Sequence, residues 1–203
     1  MADAWLEALA QSPWLLPALF LLVVGDAFLI VLPSETVVVA LAALWGSTGS
    51  PPLLAIVPVA AAGAIVGDTL CFTIGRRVGL DRWRWQRIGR LQRAIARVRR
   101  IVIARPASLI FTARYVPFAR IAVNLTAGAS GLPYRRFLPL SCAAGVMWAI
   151  YNCAVGAFFG TLLADLPILA IVVSVVIGVT IGVIVDATVA RWATRRQAPA
   201  PEQ

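Results

Sequence analysis

The sequence predicts an all-α integral membrane protein: an inverted repeat with two opposed re-entrant hairpins, about three full transmembrane helices, and an amphipathic helix on the cytoplasmic surface. Three observations carry this. First, 61% of the 203 residues are hydrophobic and the mean hydropathy is +0.87, whereas soluble domains are roughly half apolar. Second, apolar blocks at 14–46, 52–75, 107–128, 137–160 and 166–190 approach or exceed the ~20 residues that cross a bilayer core. Third, cations concentrate in two places. Residues 76–105 hold eleven arginines against one acid, Asp81, and the tail 191–203 adds Arg191, Arg195 and Arg196. By the positive-inside rule both segments are expected in the cytoplasm.

The N-terminal stretch MADAWLEALAQSP carries Asp3 and Glu7 and no arginine, so a processed signal peptide is not expected. The first block, 14–46, is interrupted at Gly25-Asp26 and again at LPSE, residues 32–35. Its second arm, 35–46, is too short to cross, so 26–46 reads as a hairpin broken near Pro33. Block 52–75 is an uninterrupted span that closes the first repeat, 14–75.

The basic segment that follows has helical periodicity. Ile88, Leu91, Ile95, Val98 and Val102 recur at three and four residues, flanked by arginines, with Trp83 and Trp85 at the start. This predicts an amphipathic helix on the anionic inner surface; the alternative is a helix packed on the protein's own cytoplasmic face. One short helix beside a bilayer does not suit nucleic-acid binding.

Topology then constrains the rest. Three full crossings between the basic segment and the tail would place the tail outside, so one block must fail to cross. Block 107–128 contains Pro117 between Arg114 and Arg120, and the connector after it is basic through Arg135 and Arg136. It reads as a hairpin that enters and leaves from the cytoplasm, each arm about ten residues, or ~15 Å of helix. Block 137–160 completes the second repeat, 107–160, and 166–190 is expected to be a C-terminal transmembrane helix. All 203 residues then form a single membrane domain.

A shift of 82 residues lays Gly46 on Gly128, Gly49 on Gly131, Pro51 on Pro133, Gly63 on Gly145 and Cys71 on Cys153. With a small offset, Pro33 meets Pro117 and Glu35 meets Arg120. Block 52–75 would run outside to inside and 137–160 inside to outside. Repeats of opposite topology characterise secondary transporters, whose sites lie at midplane on broken helices.

Four charges sit where charges are costly: Glu35, Asp68, Arg114 and Arg120, with Asp26 a possible accessory. Two hairpins meeting tip to tip would gather them at midplane. They form either a structural ion-pair cluster or a transport site. All eighteen cations are arginine, which fits a GC-rich genome or a choice of Arg for bidentate phosphate contact. The chain has no histidine, which removes His acid–base chemistry, phosphohistidine intermediates and His metal sites. Cys71, Cys142 and Cys153 lack metal-ligand spacing and read as small core residues. No nucleophile–base pair stands out, so neither an enzyme nor a cofactor is expected.

The segment FTARYVPFAR, residues 111–120, resembles the pattern F-x-x-R-(F/Y)-x-P-x-x-R of the DedA proteins. The resemblance extends to LPSE, to GDTLCFTIGRRVG (67–79) and to AGASGLPYRRF (127–137), and covers most of residues 20–160. The family often places Pro-Gly before its acid; here Ser34 follows Pro33. The resemblance implies a bacterial plasma-membrane protein that moves lipid between leaflets. Polyprenyl phosphate, phosphatidylethanolamine and proton-dependent homeostasis are associated with different members. The family's functional acids correspond to Glu35 and Asp68 and its functional arginines to Arg114 and Arg120. The residue chemistry agrees: Arg suits a lipid phosphate, and a carboxylate shielded from water can carry a proton. The expected function is therefore proton-linked translocation of an anionic, phosphate-bearing lipid. The rivals are a proton-coupled carrier of a soluble solute, a phospholipid scramblase and a membrane scaffold.

Overall fold

A computed structural model describes residues 12–29, 33–79, 100–113 and 119–163, with isolated helical residues at 169, 172–173, 175–177 and 180. The helices are α1 (Leu15–Asp26), α2 (Ser34–Thr48), α3 (Leu53–Val78), α4 (Pro106–Ala113), α5 (Ala119–Ala129) and α6 (Tyr134–Leu162). Residues 100–104 are also helical, and there is no strand among the described residues. Among the described residues, two helices, α3 with 26 residues and α6 with 29, are long and apolar enough to cross a membrane. The other four have 12, 15, 8 and 11 described residues. Most of the expected surface helix over 83–102, the break at Arg114–Pro117 and most of 166–190 lie outside the described residues.

The sequence sets the ends of the long helices in the same way twice. Gly49 and Gly131 follow α2 and α5 with φ of 78° and 79°, a left-handed conformation that costs a side-chain-bearing residue ~1–2 kcal/mol. Pro52 and Pro133 then cap α3 and α6 in extended conformation. Each long helix carries a proline at its sixth residue, Pro58 and Pro139, early enough that only one first-turn carbonyl loses its intrahelical partner.

Packing is crossed: α2 lies mainly along α6 and α5 mainly along α3. In both pairs the contact positions climb together. Val39 meets Gly156 and Ala43 meets Gly160, while Arg120 meets Ala64, Asn124 meets Asp68 and Gly128 meets Phe72. Each short helix therefore runs parallel to the long helix it packs on. At Gly75, Gly128, Gly156 and Gly160 a Cβ would collide with backbone of the facing helix, so these crossings are backbone-close. By contrast α3 and α6 are antiparallel, with Ala61 near Gly145 and Phe72 stacked on Phe137 at 4.4 Å between ring centres.

Two apolar clusters flank the middle of the protein. One joins Leu19, Val23, Val38, Ile56 and Trp148; the other joins Phe72, Val102, Ile110, Ala127 and Phe137. Val102, the last residue of the predicted amphipathic stripe, is 3% exposed inside the second cluster. At this end, the stripe packs on the protein itself.

Candidate functional site

The polar centre is built by three registered stripes. On α5, Arg120, Asn124 and Gly128 recur every four residues and so share a face. They lie on the α3 stripe Ala64, Asp68, Phe72. Gly128 lets the backbones close, which brings the polar ends of the stripes together. The third stripe is on α6, where Ser141 and Trp148 are seven residues apart, almost two turns and ~10 Å of rise.

Asp68 is 1% exposed and both its oxygens accept hydrogen bonds. Arg120 Nε donates to Oδ1 at 2.8 Å and Asn124 Nδ2 donates to the same oxygen at 2.9 Å. Ser141 Oγ donates to Oδ2 at 2.9 Å. Three helices thus converge on one carboxylate. Asp68 stands ten residues before Val78, the end of α3, or ~15 Å of helix. That is about half a hydrocarbon core.

Arg120 uses all three nitrogens. Besides Nε on Asp68, Nη1 donates to Asp26 Oδ2 at 3.3 Å and Nη2 to the Ala64 carbonyl at 3.4 Å. Its side chain is 13% exposed, and that of Asp26 is 21% exposed. Asp26 ends α1, and the turn after it is fixed by Cys71 Sγ, which donates to the Ala27 carbonyl at 3.2 Å.

Of the residues singled out in the sequence, Asp68, Arg120 and Asp26 come together. Glu35 does not join their contacts among the described residues. It is the second residue of α2 and accepts from Trp148 Nε1 at 3.1 Å. Because Trp148 and Ser141 share a face of α6, Glu35 stands about two turns along α6 from Asp68. Glu35 and Arg120 are each the second residue of their short helix, so they open the two crossed packings in equivalent positions. Pro33 precedes α2 as its N-cap; Arg114 and Pro117 lie outside the described residues. No group of three or more metal-ligating side chains occurs among the described residues. Cys71 and Cys153 are buried free thiols and Cys142 is half-buried.

Sequence reasoning missed Asn124 and Ser141. The available signal was an amide four residues after a buried arginine in an otherwise apolar helix.

An apolar groove of about 580 Å³ opens between α1 and α3, lined by Leu16, Phe20, Pro58 and Ala62 among others. The same two helices carry Asp26 and Asp68 further along. Large apolar side chains face outward on several helices, including Leu21, Leu54, Met147, Ile150 and Phe158.

The VTT domain profile matches residues 32–158. An uncharacterized membrane protein of Mycobacterium tuberculosis is 34% identical over 170 residues, covering 76% of this chain and 74% of the relative. Protein DedA of Escherichia coli is 27% identical over 154 residues, 73% of this chain and 70% of its own length. The inner membrane protein YohD of the same species is 29% identical over 104 residues, 51% of this chain and 53% of its own length. No solved structure matches.

Proposed function

Because this chain belongs to the DedA family of VTT-domain membrane proteins, we propose that it moves an anionic, phosphate-bearing lipid, such as a polyprenyl phosphate, between the leaflets of the bacterial plasma membrane. The observation that carries the reading is Arg120: a guanidinium held by two carboxylates, one of them ten residues inside a helix long enough to span a bilayer, beside apolar, outward-facing helices. A cation at membrane depth costs a few kcal/mol. An anionic headgroup that entered from the bilayer would meet Arg120 and, in this reading, Arg114, while its tail stayed in lipid.

The short helix pairs are the parts that make such a path. In this account the first hairpin is α1–α2, beginning earlier than the expected 26–46 because a helix already occupies Leu15–Asp26; it enters and leaves from outside, α4–α5 does so from the cytoplasm, and α3 and α6 cross in opposite directions. The parallel packing of α2 on α6 and α5 on α3 supports this arrangement. Backbone that turns at midplane needs a protein-lined or wet surrounding, and the buried polar contacts of Asp68 support such a setting.

Two acids were expected to couple protons, Glu35 and Asp68. We assign the coupling to Glu35, which accepts from Trp148. Asp68 is instead the closest counter-ion of Arg120, and neutralising it would leave that buried guanidinium without its nearest anion.

The test is lipid movement in proteoliposomes, using a fluorescent polyprenyl phosphate, the matching polyprenol and a neutral-headgroup phospholipid. Acceleration of the phosphate-bearing lipid alone is expected. Equal acceleration of all three would indicate a non-selective scramblase. Uptake of soluble organic phosphate without lipid movement would indicate a solute carrier.

A further inference from the structure

Arg120 faces two carboxylates that differ in three respects. Asp68 is 1% exposed; Asp26 is 21% exposed. The Asp68 contact is 2.8 Å through Nε, whereas the Asp26 contact is 3.3 Å through Nη1. Asp68 lies inside α3 and accepts from Asn124 and Ser141 on two other helices, whereas Asp26 is the last residue of α1. Nη2 makes only a long 3.4 Å bond to the Ala64 carbonyl. A tetrahedral phosphate binds an arginine best through two N–H groups at once. The Nη1–Nη2 edge offers two such groups, and both now make the longer bonds.

We propose that the two carboxylates have separate jobs. Asp68, fastened by Asn124 and Ser141, is the permanent counter-ion that orients Arg120, and Asp26 is the counter-ion that an incoming phosphate monoester displaces from the Nη1–Nη2 edge. Asn124 and Ser141 are positioning residues that act through Asp68. The proposal rests on the phosphate-binding reading above, and it deepens that reading by naming which anion yields. The arrangement limits the penalty of the empty state: Arg120 is never without an anion, and removal of one buried partner is costly. It also selects for charge, because a neutral headgroup would have to displace Asp26 without replacing its charge.

The experiment uses the purified full-length protein in nanodiscs of zwitterionic lipid, titrated with dihexanoyl phosphatidic acid and, in parallel, inorganic phosphate. Asp26→Asn removes the competing anion and should tighten phosphatidic acid binding about tenfold. Asp68→Asn and Asn124→Ala should weaken it by about tenfold. A shift in the same direction for Asp26→Asn and Asp68→Asn overturns the division of labour. Inorganic phosphate is expected to bind more weakly than phosphatidic acid; equal affinity would overturn the lipid as ligand.

A second measurement needs no ligand. With arginine labelled at Nε, NMR should show an exchange-protected Nε–H that is assigned to Arg120 by its loss in Arg120→Lys. That signal should survive Asp26→Asn and lose its protection in Asp68→Asn and Asn124→Ala. Its survival in Asp68→Asn overturns the anchor role even if that variant binds poorly because it is unstable. If the wild type binds neither probe yet shows this NMR pattern, the phosphate reading and the displacement step fail, and the fixed role of Asp68 stands.

Discussion

Arg120 and Asp68 meet at 2.8 Å, Nε to Oδ1, across 52 residues of sequence and with the acid 1% exposed. Several polar side chains in the middle of the protein are arranged around that contact. Asn124 lies one turn after Arg120, Ser141 reaches the other oxygen, and Asp26 closes the far side of the guanidinium.

Breaking this pair should be costly to the fold. Asp68→Ala leaves Arg120 short of its closest anion and strands Asn124 and Ser141, a loss of about 3 kcal/mol or more. Thermal unfolding in detergent should show a clear drop in Tm. In a double-mutant cycle, Asp68→Asn with Asn124→Ala should give a coupling of ~0.5–3 kcal/mol; additivity would mean that the hydrogen bond contributes nothing.

Helix crossings predict a contrast between two glycines of one segment. A Cβ at Gly128 would run into the backbone of Phe72, whereas at Gly131 nothing lies within 4 Å and only the φ of 79° opposes substitution. Gly131→Ala should cost about 1–2 kcal/mol. Gly128→Ala should cost more, because backbone cannot move aside as a side chain can. Unfolding midpoints of the two variants check the order.

Much of this architecture was readable before any coordinates. The two long helices follow from uninterrupted apolar runs, and the repeated Gly-x-Pro connectors follow from the 82-residue shift. The hidden part is lateral. Sequence gives depth along a helix but not which face meets which neighbour. Glu35 and Asp68 were therefore expected in one cluster. The packing instead sends Glu35 to Trp148 and brings Asp26 to Arg120. Asn124 and Ser141 are uncharged, so in an apolar run they carried less signal than the four charges did.

Orientation is open to direct labelling. In a background without Cys71, Cys142 and Cys153, Arg135→Cys and Ala198→Cys should both react from the cytoplasmic side. Thr48→Cys, at the exposed end of α2, should react from the opposite side. Labelling of positions 135 and 198 from different sides would contradict the hairpin assignment for 107–128.

Proton linkage is assigned to Glu35. Glu35→Gln keeps an acceptor for Trp148 Nε1 but cannot release a proton, so transport should lose its dependence on pH while the fold persists. Trp148→Phe removes the donor and should shift the profile without flattening it. A wild-type profile in Glu35→Gln would move the coupling elsewhere.

The most direct test of the central claim is the flip rate of a fluorescent polyprenyl phosphate in proteoliposomes holding wild type, Arg114→Lys or Arg120→Lys. Lysine keeps the charge and loses the planar fork. Chromatographic profile and Tm confirm folding separately. The account predicts that each folded Lys variant transports at about a tenth of the wild-type rate or less. Wild-type rates in both variants would contradict it, since a planar phosphate clamp would then play no part in moving the lipid.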